Sequence, residues 1–344
     1  SSELTLSNLK ENLFALTSCY GIGNINEVSD KCYELLKDFA EIKRPDPMTV
    51  IAFIKGETDY TVMLDAHLDQ VGFTVTDIDK NGFLTVSNAG GIDLRMLPSL
   101  PVVIHSKEKK LTGVFCSIPP HLSDGEKCFD DIKKLKIDSL LGEKAKDLIS
   151  IGDFVTFKAE TQEILNGKIV SSSLDDRAGV AALIDAAQKF KDKKPPVNIV
   201  LSLSNMEELG LRGARTSAFS VFPDEAIVVD VSFATAPDVS KDSAKEMGKG
   251  AMIGISPTLD KALTNKLFKI AKENNIPYQT EVMSSTTGTN ADVISLTKSG
   301  IRTGLVSIPI RNMHTPSEVV SLDDIKSTSE ILEKYILAGG LLNG

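Results

Sequence analysis

The sequence predicts an α/β protein, with a mainly parallel mixed sheet sandwiched by helices and a small β-barrel-like domain inserted into it. Three observations predict this. Apolar runs at Tyr60–Ala66, Val197–Leu203, Ala226–Val229 and Gly304–Ile310 alternate with helical patterns, and that alternation implies a sheet covered on both faces. From about Val71 to Ile169 the texture changes to short strand patterns broken by turns such as Asp79-Lys80-Asn81-Gly82, as expected for a small closed or sandwiched β unit. The α/β pattern then resumes at Ser171. One discontinuous domain, residues 1–70 plus 166–344, therefore closes around an inserted all-β domain, residues 71–165.

The elements follow in order. Leu13, Leu16 and Tyr20, then Val28, Cys32, Leu35 and Leu36, recur at helical spacing between Leu4 and Phe39, with Gly21-Ile22-Gly23-Asn24 between the two stretches. Thr49–Ile54 and Tyr60–Ala66 read as strands. Inside the insert, Phe73–Ile78, Phe83–Val86, Val102–His105, Leu111–Cys116 and Asp153–Phe157 read as strands, with a helical segment near Leu140–Leu148. Ser173–Gly179 opens an amphipathic helix carrying Val180, Leu183, Ile184, Ala187 and Phe190. Helices are further expected at Gly213–Phe219, Lys261–Asn274, Asn290–Ser299 and Ser321–Leu337, with a short strand at Tyr278–Met283.

Composition narrows the function classes. A net charge of −9 argues against nucleic acid as a partner, because phosphate binding needs a basic face. No apolar stretch approaches the roughly 20 residues that cross a bilayer, so no membrane partner is expected. The first residues, Ser1-Ser2-Glu3-Leu4-Thr5, carry neither a basic nor an apolar signal region. Cys19, Cys32, Cys116 and Cys128 lack C-x-x-C spacing and read as free thiols of a reducing cytoplasm.

Chemistry gathers where the strands end. Tyr60–Ala66 leads to His67, Val197–Leu203 to the adjacent Glu207 and Glu208, Ala226–Val229 to Asp230, and Gly304–Ile310 to His314, while Asp175 starts the helix after the insert. In open α/β sheets the functional crevice lies beyond the carboxyl ends of the strands. Two histidines, three ligand carboxylates and one spare carboxylate suit a pair of divalent ions sharing an Asp. Such N/O donors favour zinc, cobalt or manganese. Each residue has a plainer reading: a core histidine at 67, a helix cap at Asp175 or Asp176, a solvated turn at Glu207-Glu208, a loop histidine at 314. Asp230 after an apolar strand is costly unless paired. Asp69 lies two residues beyond His67 on the same face of an extended segment, where its carboxylate can take the imidazole N–H.

His67-Leu68-Asp69, Ser173–Gly179, Glu207–Ala214, Asp230-Val231-Ser232, Thr287–Ala291 and Met313–Glu318, with Gly90–Pro98 and Ile118–Leu122 of the insert, resemble the glutamyl and deblocking aminopeptidases, metallopeptidase family 42. The resemblance implies a dinuclear zinc-exopeptidase fold and an aminopeptidase trimming short peptides with two divalent ions, zinc or cobalt. It implies that His67 and Asp230 hold one ion, Glu208 and His314 the other, and that Asp175 bridges them. Glu207 would be the general base that deprotonates the attacking water and reprotonates the leaving amine, and Asp69 would orient His67. It also implies dimers joined through the insert, assembling into a tetrahedral dodecamer. Gln70 stands where the family usually has Glu, Thr287 replaces a glycine, Asn290 an aspartate, and Asn312 a frequent aromatic residue; Asp46–Thr49 lacks the usual Gly-Asn pair. Acidic, basic and aliphatic N-terminal preferences all stay open. Two other classes compete: a glycosidase using the Glu pair, which needs carboxyls about 5–5.5 Å apart across a sugar and leaves both histidines unexplained, and a metal-binding assembly protein that has drifted from catalysis, against which the intact Glu207 speaks.

Overall fold

The computed structural model describes residues 2–122, 131–158, 160–237, 239–240 and 242–342; Cys128 falls outside them. The described Cys19, Cys32 and Cys116 are free. No helix among the described residues is long and apolar enough to cross a membrane.

An eleven-stranded sheet organises the chain. Its centre is parallel: Arg302–Arg311, Glu225–Phe233, Thr61–His67 and Asn198–Ser204 lie side by side in that order. The flanks are antiparallel. Val50–Ile54 and Glu41–Lys43 extend one side, and Glu318–Ser321, Lys168–Ser171 and Gln162–Ile164 the other. Ala251–Ile255 pairs with Arg302–Arg311 and carries Tyr278–Val282 outside it. Glu41–Lys43 and Gln162–Ile164 are short and charged, and Glu318–Ser321 is a four-residue run opening on an acid, so none announces itself as a strand. The sheet is consequently more mixed than the sequence predicts.

The central strands are buried on both faces, so their apolar run is continuous. Met63, Val200, Ala226, Val228 and Leu305 pack on one face. Leu64, Ala66, Ile199, Leu201, Ile227, Val229, Val306 and Ile308 pack on the other. Each such side chain contributes about 1.5–3 kcal/mol by leaving water. By strand alternation, Asp65, His67, Ser202, Ser204, Asp230, Ser232 and Ser307 continue the first series.

The helix Leu174–Gln188 differs from expectation. Rather than being amphipathic it is buried all round from Leu174 to Ala187, wedged between the sheet and the helices Ser2–Thr17 and Leu322–Leu337. Ala178, Ala181, Ala182, Ala186 and Ala187 permit that close approach. Arg177, fully buried, donates from Nη1 to the carbonyls of Leu16 and Cys19 at 2.8 and 3.0 Å and fixes the end of the first helix. The helix expected over Asn290–Ser299 shrinks to Ala291–Ile294, after which turns closed by Thr297 N to Ile294 O and Gly300 N to Thr297 O carry the chain on.

A second core forms a closed barrel of six strands: Lys136–Asp138, Phe83–Ala89, Gly72–Ile78, Phe154–Phe157, Pro101–His105 and Lys110–Phe115. The strand 136–138 closes it by pairing with both 83–89 and 110–115. Phe73 sits inside, edge-to-face with Phe115 and Phe157 at centroid distances of 5.1 and 5.8 Å.

Candidate metal centre

Thr61–His67 pairs with Glu225–Phe233 only as far as Val228. Beyond that point the longer strand runs on to Phe233 beside Arg302–Arg311 alone, and a crevice opens. Asp230 is therefore not the last residue of its strand, as the sequence predicts, but the first to face that opening.

Asp175 occupies the centre. His67 Nε2 lies 3.0 Å from its Oδ1, and His314 Nε2 lies 3.2 Å from its Oδ2. His314 Nε2 is also 3.2 Å from Glu208 Oε1. His67 Nε2 is 3.9 Å from Asp230 Oδ1 and 4.0 Å from Glu207 Oε2. Three overlapping groups have ligand atoms within 4.8 Å of one another: His67, Asp175 and Asp230; Asp175, Glu208 and His314; His67, Glu207 and Glu208. All the residues expected at the site thus come together. The neighbouring Asp176 takes the capping role instead, accepting the Gly179 N–H at 3.0 Å.

Both imidazoles are held alike. His67 Nδ1 is 3.0 Å from the Asp69 carbonyl, and His314 Nδ1 is 2.7 Å from the carbonyl of Gly91, in the chain that follows the barrel strand 83–89. A carbonyl can only accept, so each Nδ1 carries hydrogen and each Nε2 is the nitrogen turned to the crevice, where it donates to carboxylate while protonated and can offer a lone pair to a cation that takes the proton's place. The carboxylate of Asp69, 3.5 Å from His67 Nδ1, does something the sequence did not predict. Its Oδ1 and Oδ2 accept the backbone N–H groups of Glu207 and Glu208 at 3.0 and 3.2 Å. Glu318 acts likewise on the opposite side, accepting from His314 N at 2.7 Å and Asp175 N at 3.2 Å. Sequence reasoning gave Glu318 no role; a lone acid entering the apolar Val319-Val320 was the available signal.

These bonds hold a strained frame. Ser173, Met206 and His314 all have φ near +60°, a conformation costing a non-glycine residue about 1 kcal/mol or more. The departures from the family pattern find partners here too. Asn290 Nδ2 donates to Asp65 Oδ1 at 2.7 Å and Ser204 Oγ at 3.0 Å, where an aspartate would set one buried carboxylate against another. Gln70 Oε1 accepts from Gly21 N at 3.1 Å, Thr287 bonds Asp292, and Asn312 donates to Ser317 O.

Electrostatically the site wants cations. Among the described residues, only the two histidines stand within ion-pair distance of Asp175, Glu207, Glu208 or Asp230. Burial, reinforced by the charges of Glu208, Asp175 and Asp69 and opposed by His67, pushes Glu207 up to about 7. Burial and the charge of Asp176 carry Asp230 well above the carboxylate range. Burial works against a charged His314, yet its bonds to Asp175 and Glu208 raise it to about 11. Crowded carboxylates around two imidazoles whose Nε2 atoms face them form a donor set suited to divalent metal, which would take the place of the imidazole protons. Exposure grades across it: the His67 side chain is 1% exposed and that of His314 28%, so the crevice opens on the His314 side.

Known proteins resemble the chain over nearly its full length. A lysyl aminopeptidase of Pyrococcus furiosus is 32% identical over 318 residues, covering 90% of each chain. The solved aminopeptidase APDkam598 of the archaeon Desulfurococcus kamchatkensis superposes with a TM-score of 0.90 at 31% identity, covering 97% of this chain and 95% of that one. The TET1 peptidase of Pyrococcus horikoshii, described as assembling into a tetrahedron or a large octahedral shell, superposes with a TM-score of 0.85 at 28% identity over 95% of this chain and 99% of its own. The model of the M42 glutamyl aminopeptidase family matches residues 49–331, and the chain belongs to that family, as an exopeptidase hydrolase.

Proposed function

We propose that the chain is a metal-dependent aminopeptidase that removes N-terminal residues from short peptides with two divalent ions. One observation carries the reading: the two oxygens of Asp175 face the Nε2 atoms of two histidines, each accompanied by a further carboxylate. His67 and Asp230 would hold one ion, Glu208 and His314 the other, and Asp175 both. Zinc and cobalt suit these donors equally. Bound there, the ions would supply Lewis acidity to the scissile carbonyl and acidify the attacking water.

The protein's own residues do the rest. Glu207 Oε2, turned toward His67 Nε2, takes a proton from water as its oxygen bonds to the carbonyl carbon, and returns it to the amine nitrogen as the C–N bond breaks. Asp69 holds the backbone of Glu207, and Glu318 that of His314 and Asp175. Short peptides enter by the open His314 side.

Assembly is part of the proposal. The inserted domain, proposed over residues 71–165 although Gln162–Ile164 pairs into the large sheet, would join dimers, and these a tetrahedral dodecamer. The exposed Ile118, Leu122, Leu140 and Ile151 in this part of the chain support it, since large apolar side chains left in water mark contact surfaces. The described free cysteines suit a reducing cytoplasm.

Metal analysis, chelator treatment and hydrolysis of a panel of aminoacyl chromogenic substrates test the catalytic reading. Release from at least one unblocked substrate, abolished by chelation and restored by metal, is expected; metal-loaded protein inert on all of them would sink it. Sedimentation at monomer mass would remove the assembly.

A further inference from the structure

The lysyl description of one relative and the glutamyl description of the family point to opposite substrates, and one acidic side chain outside the ligand set bears on the choice. Tyr278–Val282 is the outermost strand beside Ala251–Ile255, and Glu281 stands in register with Gly254. Registered residues of a parallel pair share a face. A Cβ on Gly254 would meet Leu305 and Leu259, so both face the side that His67 and Asp230 face. With no side chain at 254 in the way, Glu281 reaches across two strands. Its Oε1 accepts from Ser232 Oγ, and its Oε2 from Ser307 Oγ at 2.7 Å.

Those serines fix where the carboxylate lies. Ser307 is the register partner of Asp230, one strand spacing or about 4.8 Å away, and Ser232 lies two residues, roughly 6.6 Å, further along the same face. The Glu281 carboxylate is therefore anchored about one side-chain length from Asp230. Among the described residues no Lys, Arg or His forms an ion pair with it. Each oxygen spends one lone pair on a hydroxyl and keeps another.

We propose that Glu281 is the specificity-determining residue of this site and selects peptides whose N-terminal residue is basic, lysine above all. This rests on the aminopeptidase reading above. With the α-amine and scissile carbonyl of the substrate beside Asp230 and Asp175, a lysine side chain of five single bonds, about 6 Å when extended, spans the interval to Glu281. Its ammonium then meets an acceptor already oriented by two hydroxyls, a charge-assisted bond. An acidic N-terminal residue meets like charge instead.

The competing role is a structural latch tying the edge strand to Glu225–Phe233 and Arg302–Arg311. Metal-loaded wild type and Glu281→Gln are compared on the lysyl, norleucyl and glutamyl amides of one chromophore. Norleucine has the lysine chain without its ammonium. Wild type is expected to favour lysyl over norleucyl, and the substitution to lower that kcat/KM ratio by about 10- to 100-fold, mainly through KM. Glu281→Arg should move the preference toward glutamyl. A parallel fall on all three amides, with the ratio unchanged, identifies the latch and overturns the proposal, as does a wild-type preference for glutamyl or norleucyl. Hydrolysis of none of the three, nor of any other unblocked amide, overturns the parent reading and this one with it.

Discussion

The carboxylate of Asp69 accepts the backbone N–H of Glu207 at 3.0 Å through one oxygen and that of Glu208 at 3.2 Å through the other. A single acid after the strand Thr61–His67 thus sets the backbone of both glutamates beyond a neighbouring strand, while its own carbonyl orients His67. Asp69→Asn keeps one acceptor and turns a donor toward the second N–H. An unmet buried N–H costs about 1–3 kcal/mol, so kcat is expected to fall about 10- to 100-fold with metal content retained. Steady-state kinetics with metal analysis checks this; an unchanged kcat would show that the two N–H groups need no anchor.

Glu207→Gln preserves the shape of the side chain and removes the proton acceptor. Turnover should fall by about 10²- to 10⁴-fold, the usual share of a general base, while metal stoichiometry matches wild type. A variant that purifies without metal would place Glu207 among the ligands.

His314→Ala removes the Nε2 that faces Asp175 and Glu208 but leaves His67, Asp175 and Asp230 in place. One ion per chain should be lost and the second partly retained, read by elemental analysis. Loss of both would mean that the two halves bind only together.

Asp324 offers a titration away from the centre. It is buried and accepts the N–H groups of Gly248 and Gly250, both at 2.7 Å; burial outweighs those bonds and pushes its pKa up to about 6. The folded state therefore holds this proton more tightly than the unfolded chain does. The stability it contributes is full below about pH 4 and is lost as pH rises through 6, with a ceiling of about 3 kcal/mol. Asp324→Asn cannot titrate. The stability of wild type relative to this variant should decline between pH 4.5 and 7.5, measured by urea unfolding; a constant difference would contradict the shift.

The chain by itself determined the class of fold, the barrel-forming strand texture and which polar residues gather at the crevice. Those are local properties: buried parallel strands read as continuous apolar runs, and an acid or histidine after such a run stands out because burying it unpaired is costly. Tertiary structure alone decided what the polar side chains do once there. Asp69 meets Glu207 across 138 positions, Gly91 reaches His314 across 223, and Glu281 is seated by serines on two other strands. Even Asp175 and Asp176, adjacent in sequence, part company, one facing the crevice and the other capping a helix. Hydrogen bonding depends on direction within a few tenths of an ångström, and only the packed sheet brings donors and acceptors from distant segments into that range.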